Sequence, residues 1–414
     1  MRATCIAGVG MTRFGRFLDR PLAELAQEAA RAALADAAAG AESVEAIVFA
    51  NATQGVLEGQ HGVRGQAALD GFGFGDAPVF NVENACASAS TALNLAHVMV
   101  GSGAHDCVLA LGAEKMATAD AAKAMAAFEG SWDLSRRDET LAALLAMGRG
   151  VSPPPGAEDV GPRSVFMDVY AAFCRHHMAR FGTTQRQMAA VSAKNHRHSA
   201  ENPRAQYRRA FTVEEVLAAR SIVWPLTLPM CSPVSDGAAA ALVCTPEYAR
   251  RLGQAARAAS IRASVVMSGD RRDPDRLDEH VARKASRRAY ERSSLGPEDV
   301  DVVECHDATA FGEILQSEML GFFGLGEGGP AAERGDTALG GRIPFNPSGG
   351  LESKGHPIGA TGLGQVFEIV TQLRGEAGAR QVAGARIGLV ENGGGLRGVE
   401  EAAVAITILE GPAR

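Results

Sequence analysis

Short apolar segments alternate with longer Ala-rich segments along most of the chain. The segments at 44–50 and 107–112 are short and mostly apolar, which is typical of strands that are buried on both faces. The segments at 22–39 and 87–100 are longer and rich in Ala, which favours helices. We therefore predict an α/β protein built in layers.

The same alternation returns in the second half of the chain, although no convincing residue-level repeat relates the two halves. Further strands are predicted at 78–82, 238–244, 256–267, 300–304, 385–390 and 401–409, and further helices at 165–180, 184–200, 212–221 and 362–373. We therefore predict two similar α/β halves, at residues 1–250 and 251–414.

The middle of the first half breaks this alternation. From about 118 to 160 the regular strand signals disappear, and Ser-Pro-Pro-Pro-Gly at 152–156 marks a loop. Three of the predicted helices follow this stretch. Residues at about 120–230 are therefore predicted to form a mostly helical insertion.

Composition narrows the class of protein. The 414 residues are 46% hydrophobic, 21% charged and only 5% aromatic, which favours a globular protein with closely packed helices over an aromatic-rich β-sandwich. A formal net charge of −7 without basic clusters argues against nucleic acid as a main partner. A local group of Arg and Lys could still bind an anionic ligand.

The cysteines, the first residues and the length of the apolar runs indicate the cellular compartment. Seven scattered Cys without a CxxC pair argue against a disulfide framework and against a structural zinc site. The first residues lead into a strand-like segment rather than a signal peptide, and no apolar run reaches the ~20 residues that span a bilayer. We expect a cytoplasmic protein without a membrane partner.

The first candidate for chemistry is Cys86, in the segment NVENACASAS at 81–90. It lies where a predicted strand gives way to a helix, and a helix N-terminus favours the thiolate by its partial positive charge. A buried structural Cys is the alternative, and the local sequence alone does not separate the two.

Two further motifs carry histidines. The segment ECHDATAF at 304–311 sets His306 beside Asp307 after a predicted strand, although such a pair can also serve as a simple strand-end cap. The segment KGHPIGATG at 354–362 places His356 in a Gly-rich loop ahead of a helix. This loop has neither the Walker spacing nor the GxGxxG spacing of nucleotide sites.

These three motifs resemble those of thiolases, particularly the branch related to the thiolase domain of sterol carrier protein. The Gly-His-Pro-x-Gly-Ala-x-Gly pattern is the most specific of them. The resemblance implies that Cys86 takes up the acyl group as a thioester and that His356 activates Cys86. In this branch a His-Asp motif replaces Asn-Glu, which implies that His306 donates a hydrogen bond to the thioester oxygen.

A fourth motif departs from the family pattern. The segment GLVENGGG at 388–395 resembles the final thiolase motif, but Glu391 stands at the position of the second Cys, which moves protons in ordinary thiolases. A carboxylate with a raised pKa can do such work, so we expect Glu391 to be catalytic, with a structural replacement as the alternative. Asn392, Gly393 and Gly394 are expected to bring the backbone close to the substrate.

The resemblance also implies coenzyme A as a cosubstrate, with no permanently bound cofactor. The segment PMCSPVSDGAAA at 229–240 is similar to a thiolase stretch whose Ser contacts the pantetheine arm, and here that residue is Ser232. A capped turn before a strand is the alternative. His176 and His177 also fall in a segment similar to this branch, and we assign no metal to them.

The resemblance covers essentially the whole chain. It implies a duplicated five-layer αβαβα fold in which the helical insertion covers the active site. It also implies a homodimer, or a dimer of dimers, that pairs through the sheet of the first half. Some relatives work only with a small partner that contains a zinc ribbon and an OB-fold, and the sequence leaves open whether this chain does.

The implied activity is that of an acyl-CoA C-acyltransferase. Such an enzyme cleaves a 3-oxoacyl-CoA with free CoA or runs the reverse Claisen condensation. The absence of the second Cys is compatible with a branched or aromatic substrate such as 2-benzoylsuccinyl-CoA. One alternative is a retro-aldol lyase, whose known examples use tyrosines, but none of the four Tyr falls in the motifs. The other is a non-catalytic acyl-CoA-binding protein.

Overall fold

The computed structural model of the protein describes residues 1–155, 157 and 163–412. The strands in these residues are β1 (Cys5–Met11), β2 (Ala46–Ala50), β3 (Val79–Val82), β4 (Cys107–Glu114), β5 (Ser221–Val223), β6 (Leu226–Thr227), β7 (Gly237–Cys244), β8 (Ala259–Ser268), β9 (Val302–Glu304), β10 (Ile387–Arg397) and β11 (Glu400–Glu410). The α-helices are α1 (Leu22–Asp36), α2 (Gln54–Glu58), α3 (Arg64–Ala68), α4 (Ser88–Ser102), α5 (Ala121–Glu129), α6 (Arg137–Met147), α7 (Val165–Phe181), α8 (Gln185–Ala200), α9 (Val213–Ala218), α10 (Pro246–Arg251), α11 (Val281–Ser293), α12 (Ala310–Met319), α13 (Gly328–Arg334), α14 (Gly350–Lys354) and α15 (Thr361–Arg374).

All strands except the β5–β6 hairpin join in one mixed sheet, in the order β3-β2-β4-β7-β1-β8-β11-β10-β9. The two halves of the chain meet between β1 and β8, where only Cys5 and Ile6 pair with Ser260 and Ala259. On one side the order β2-β4-β7-β1 repeats as β9-β10-β11-β8 on the other, with β3 as an additional edge strand. The duplication is therefore visible in strand order.

Helices lie in three layers around the two parts of this sheet. Helix α1 packs on the outer face of the first part, and α11 packs on the outer face of the second. Between the two parts lie α4 and α15, whose Leu93 and Val366 share one buried cluster with residues from both parts of the sheet. The expected five-layer αβαβα fold is thus confirmed.

The segment between β4 and β7 contains α5 to α9 and the β5–β6 hairpin. The stretch 118–160, which lacks strand signals, contains α5 and α6, and Gly156 of the predicted loop lies outside the described residues. The predicted boundary at 250 falls in the last turn of α10 and stays a prediction. Within the described part of the chain, no helix is both long and apolar enough to cross a bilayer.

Among the elements that differ from the sequence-based expectation, α11 and β10 bear on the site described below. Helix α11 is not predicted because six of its 13 residues are charged, yet it buries a stripe of small residues at Ala282, Ala285 and Ala289. Strand β10 does not end before the glycines but continues through them to Arg397, paired with β11 along its length. Side chains of the fourth motif therefore alternate between the two faces of a strand.

Candidate active site

Cys86 lies in a tight turn between β3 and α4. Ala85 before it has a φ of 48°, in the left-handed region that non-Gly residues keep only where their surroundings hold them. The Ala87 N–H donates to the Asn84 carbonyl at 3.0 Å, and the Ser88 hydroxyl donates to the Ala85 carbonyl at 2.6 Å. The turn therefore fixes the direction of the Cys86 side chain before the helix begins.

Gly394 allows β10 to lie directly against this turn. A Cβ at Gly394 would lie 2.2 Å from the Asn84 carbonyl oxygen and 2.9 Å from the Cys86 nitrogen. Any side chain would push the turn away, so the close approach of the two backbones requires glycine here.

His356 lies in the loop before α15, and its tautomer is set by its neighbours. Ring atom Nδ1 lies 2.7 Å from Thr361 Oγ1, and that hydroxyl donates its hydrogen to the Pro357 carbonyl at 2.9 Å. Because the hydroxyl hydrogen is already committed, Nδ1 carries the imidazole hydrogen and donates to Thr361. Nε2 of His356 is left with a lone pair that can accept a proton from a thiol.

His306 follows β9, and its backbone N–H donates to Glu391 Oε2 at 2.8 Å. Asp307 anchors the loop from behind, because its carboxylate accepts from the Leu351 N–H at 2.8 Å and from the Asn195 amide at 3.0 Å. Nε2 of His306 is buried and has no hydrogen-bond partner among the described residues. A substrate oxygen is the kind of group that such a nitrogen can bind.

The packing of α4 against α15 brings the motifs together. A Cβ at Gly362 would lie 2.0 Å from Ser90 Oγ, so the first turns of the two helices touch. The Cys86 thiol sulfur and one ring nitrogen each of His306 and His356 lie within 4.8 Å of one another. These residues are also a donor set that zinc accepts, so a bound metal would block the thiol.

Burial sets the protonation states of the three groups. Burial, followed by the charge of Glu114, raises the pKa of Cys86 to about 12. Burial also lowers the pKa of His306 to about 4 and holds the pKa of His356 well below its ordinary value. The effect of the helix start is outweighed, so the resting site contains a thiol and two neutral imidazoles.

Glu391 lies behind His306. Its carboxylate is fully buried, and Oε1 has no hydrogen-bond partner among the described residues while Oε2 holds the His306 backbone. Burial, and then the charge of Glu401, holds the pKa of Glu391 well above its ordinary value. Glu391 is not one of the described residues that line the cavity at Cys86.

The other predicted substrate contacts divide into two pairs. Ser232 and Gly394 line the cavity at Cys86. Asn392 instead donates to Gln365 Oε1 of α15 at 3.1 Å, and Gly393 packs against a neighbouring side chain of β11. The structure thus brings Ser232 and Gly394, but not Asn392 and Gly393, to the cavity surface.

The cavity has a volume of about 420 Å³ and reaches from the three motif residues into the inserted helices. The insertion supplies much of an apolar wall, namely Phe128, Met147, Phe166, Met167, Tyr170 and Phe173. The exposed Arg220 also lines it. An apolar cavity with a few convergent polar groups is typical of a small-molecule site.

Several cavity residues are missed by sequence reasoning. Tyr170 on α7 lines the cavity, although it lies in none of the four motifs. The cavity is also lined by Arg272, His280 and Glu401, which likewise lie outside the motifs. No local pattern marks them, because they come together only when the two halves and the insertion pack. His177 also borders the cavity, but its Nε2 lies 3.1 Å from the buried carboxylate of Glu318, so that ring nitrogen already has a partner.

Comparison with family models matches both halves of the chain. Residues 4–216 match the model described as thiolase, N-terminal domain, and residues 266–407 match the model described as thiolase C-terminal domain-like. An acetyl-CoA acetyltransferase of Methanothermobacter thermautotrophicus is 39% identical over 405 residues, which cover 96% of this chain and 98% of that protein.

Two further relatives and one solved structure extend this likeness. Sterol carrier protein 2 of Homo sapiens is 37% identical, over 95% of this chain and 70% of that protein. The benzoylsuccinyl-CoA thiolase subunit BbsB of Thauera aromatica is 32% identical, over 92% of this chain and 91% of that protein. The structure of an Ltp2-ChsH2(DUF35) aldolase matches 100% of this chain and 98% of its own with a TM-score of 0.79 and 25% identity. The chain therefore belongs to the thiolase family of acyltransferase enzymes.

Proposed function

We propose that this protein is an acyl-CoA C-acyltransferase that cleaves a 3-oxoacyl-CoA with free CoA, or runs the reverse condensation, through an acyl thioester on Cys86. The observation that carries the proposal is the approach of the Cys86 sulfur and two imidazole nitrogens to within 4.8 Å, at one end of an apolar cavity. The limit of 4.8 Å is longer than a hydrogen bond, and the bond between nucleophile and base often forms only once substrate is bound.

The first step is proton transfer from the Cys86 sulfur to Nε2 of His356. The thiolate attacks the 3-oxo carbon, and the bond between the α-carbon and that carbon breaks. The electron pair stays on the departing CoA thioester as an enolate, whose oxygen accepts a hydrogen bond from Nε2–H of His306. Such a donor, placed where charge develops, stabilises the transition state.

The proton balance of the reaction closes through His356. The imidazolium formed in the first step returns its proton to the α-carbon of the enolate, which leaves as an acyl-CoA. His356 then takes the proton of the incoming CoA thiol, whose sulfur attacks the acyl carbon, and the Cys86 thiolate departs and is reprotonated. No second Cys is required for this sequence.

Glu391 was expected to carry the proton of the missing Cys. Its hydrogen bond to the His306 backbone supports instead a positioning role, in which the buried carboxyl group holds His306 at the correct distance from the substrate oxygen. We propose that role for Glu391, with the α-carbon proton moving through His356 or water.

Ser232 and Arg220 are proposed to bind CoA. Ser232 is half-buried, and its backbone N–H donates to the Ala308 carbonyl at 3.0 Å, which fixes it beside the His306 loop in reach of a pantetheine arm. Arg220 is exposed where it lines the cavity, so its charge is available to the phosphates of CoA.

The proposal is tested by incubating the protein with a 3-oxoacyl-CoA in the absence of CoA and mapping the adduct by mass spectrometry. The acyl group should appear on the peptide that contains Cys86 and be absent in Cys86→Ala. Cys231 lines the same cavity and provides a matched control, since Cys231→Ala should still be acylated. An adduct on Cys231, or normal turnover by Cys86→Ala, would contradict the proposal.

A retro-aldol lyase is the second candidate, because Tyr170 lines the cavity and one structural neighbour is an aldolase. That reaction cleaves a 3-hydroxyacyl-CoA: the hydroxyl carbon leaves as an aldehyde or ketone, the hydroxyl proton is lost, and the α-carbon of the released acyl-CoA takes up a proton. No acyl group would reach Cys86, and the test below uses such a substrate for the lyase and a 3-oxoacyl-CoA for the acyltransferase. Cleavage without free CoA that survives in Cys86→Ala and fails in Tyr170→Phe would favour the lyase. Loss in Cys86→Ala with cleavage retained in Tyr170→Phe would favour the acyltransferase.

We also propose a homodimer, or a dimer of dimers, located in the cytoplasm. Strand β3 supports pairing through the first half, because it is the outermost strand and Phe80 on it is 43% exposed. One structural neighbour is an Ltp2-ChsH2(DUF35) aldolase. A small partner of that kind is a further proposal for this chain, and co-purification of the native protein tests it.

A further inference from the structure

A second group of polar side chains lines the same cavity, and the mechanism above does not use it. Its members are His280 at the start of α11, Gln316 on α12 and Glu401 on β11. His280 is 3% exposed, Gln316 is 2% exposed and the Glu401 side chain is 17% exposed. Three distant segments thus place polar groups in a mostly apolar cavity.

The hydrogen bonds of this group are incomplete. The Gln316 amide donates to Glu401 Oε1 at 3.0 Å, but Gln316 Oε1 and Glu401 Oε2 accept no hydrogen bond from the described residues. Nδ1 of His280 accepts from the Ala282 N–H at 3.2 Å, so the hydrogen of the neutral ring is on Nε2, 3.5 Å from Glu401 Oε2. Buried oxygens without partners are rare and call for an explanation.

The charge around the group is already balanced. Arg272 also lines the cavity, but its Nε donates to Glu400 Oε2 at 2.8 Å, and both side chains are at most 4% exposed. Burial raises the pKa of Glu401 and lowers the pKa of His280 to about 3. A carboxylate on a substrate would therefore meet no unpaired cation among the described residues of this group, and it would lie against Glu401.

Gly393 of the fourth motif makes room for this group. A Cβ at Gly393 would lie 2.7 Å from Cγ of Glu401. Glycine at this position therefore leaves space for the Glu401 side chain on the neighbouring strand. This gives a role to a motif glycine that does not itself reach the cavity surface.

We propose that Glu401, Gln316 and His280 bind a hydroxyl group on the acyl part of the substrate. The inference rests on the proposed function, since it takes the acyl group to occupy this cavity. A hydroxyl can donate to Gln316 Oε1 or to Glu401 Oε2, and it can accept from Nε2–H of His280. A ketone can only accept, and a methyl group leaves all of these atoms unpaired.

Equilibrium binding to the Cys86→Ala protein tests this without turnover. The probes are medium-chain acyl-CoAs and their counterparts with one hydroxyl at successive chain carbons. At one position the hydroxylated compound should bind roughly tenfold more tightly than its parent, as expected for one buried hydrogen-bonded group. Gln316→Met and Glu401→Met, added to Cys86→Ala, should each lose that preference and keep the affinity for the parent, which also shows that they fold.

Met167 on the apolar wall provides the matched control, since Met167→Leu should retain the hydroxyl preference. The inference is overturned if no hydroxylated compound binds more tightly than its parent, or if the preference survives in both Met variants. Its failure is distinct from failure of the proposed function. If wild-type Cys86 is acylated but no hydroxyl preference is found, only the hydroxyl subsite is rejected. If the preference is found but Cys86 is not acylated, only the acyltransferase proposal is rejected.

Discussion

Cys86 is held as a thiol because its turn is buried beside Glu114. That carboxylate is fixed by the Thr53 hydroxyl, which donates to it at 2.7 Å, and by the Gly359 N–H of the His356 loop at 2.9 Å. A nearby acidic group opposes formation of a second anion at the sulfur. The thiolate therefore forms when His356 accepts the proton, with substrate in place.

Alkylation of the free enzyme by iodoacetamide should consequently rise from about pH 6 to about pH 10 without a plateau. The pKa of Cys86 is about 12, and a raised thiol pKa leaves the thiolate scarce until alkaline pH. Labelling rates at Cys86 measured by peptide mapping, with Cys231→Ala to remove the other cavity thiol, check this. A plateau across neutral pH would reveal a resting thiolate–imidazolium pair.

Replacement of Glu391 separates positioning from proton transfer. Glu391→Gln keeps an oxygen that can accept from the His306 N–H, so turnover should stay within about tenfold of wild type, whereas Glu391→Leu should lose roughly 10²-fold or more through misplacement of an oxyanion donor. The rates of acylation and of the CoA-dependent step are measured separately. A loss of about 10²–10⁴ confined to the CoA-dependent step of the Gln variant would instead show direct proton transfer.

At the residue scale, the sequence predicts the side chains whose chemistry is tied to a short pattern. Cys86, His306 and His356 each occur in such a pattern, and the structure brings them together. Tyr170 lies in a segment that resembles the sterol-carrier branch but in no catalytic motif, and Glu401 carries no local signal. The place of both in the cavity depends on how α7 and β11 pack. Whether Glu391 replaces the second Cys also depends on which side of β10 its side chain occupies.

At the scale of elements, the site depends on two helix starts and one strand. The first turns of α4 and α15 touch where Gly362 meets Ser90, and this contact brings Cys86 and His356 together. Strand β10 then lies against the Cys86 turn through Gly394. The sequence predicts α4 and α15 well because small and apolar residues dominate them, but it misses the extension of β10, since three glycines are typical of a turn.

Gly394→Ala should displace the Cys86 turn, because the new Cβ would lie 2.2 Å from the Asn84 carbonyl oxygen. Acylation should fall by about 10²-fold or more, since small misplacements of reacting groups are costly. Gly130→Ala is the control, as its Cβ would have no neighbour within 4 Å. Acylation by Gly394→Ala at the wild-type rate would show that the turn adapts and that the glycine is not needed for chemistry.

At the scale of the whole molecule, the two halves each supply part of the site. Cys86 comes from the first half, and both histidines come from the second, so the chemistry requires that the halves dock through the central layer of α4 and α15. The alternation of apolar strands and Ala-rich helices predicts these layers. It does not predict which strand lies at the edge of the sheet, because that depends on the order of the strands.

The exposed edge at β3 leads to a prediction about assembly. The wild-type protein should have at least twice the mass of one chain by light scattering, and Phe80→Asp should lower that mass because a charge on an edge strand opposes pairing. Leu18→Asp is the control, since Leu18 is also exposed, at 57%, but lies in the loop between β1 and α1 rather than on β3. An unchanged mass for Phe80→Asp would exclude this edge as the interface.

The central claim is that acyl transfer passes through a thioester on Cys86. Exchange of labelled CoA into an acyl-CoA, without a second acyl substrate, measures this half-reaction directly. We predict exchange in the wild-type protein and in Cys231→Ala, and its loss in Cys86→Ala. Exchange that persists in Cys86→Ala, or its absence in wild-type protein that turns over a 3-oxoacyl-CoA, would contradict the claim.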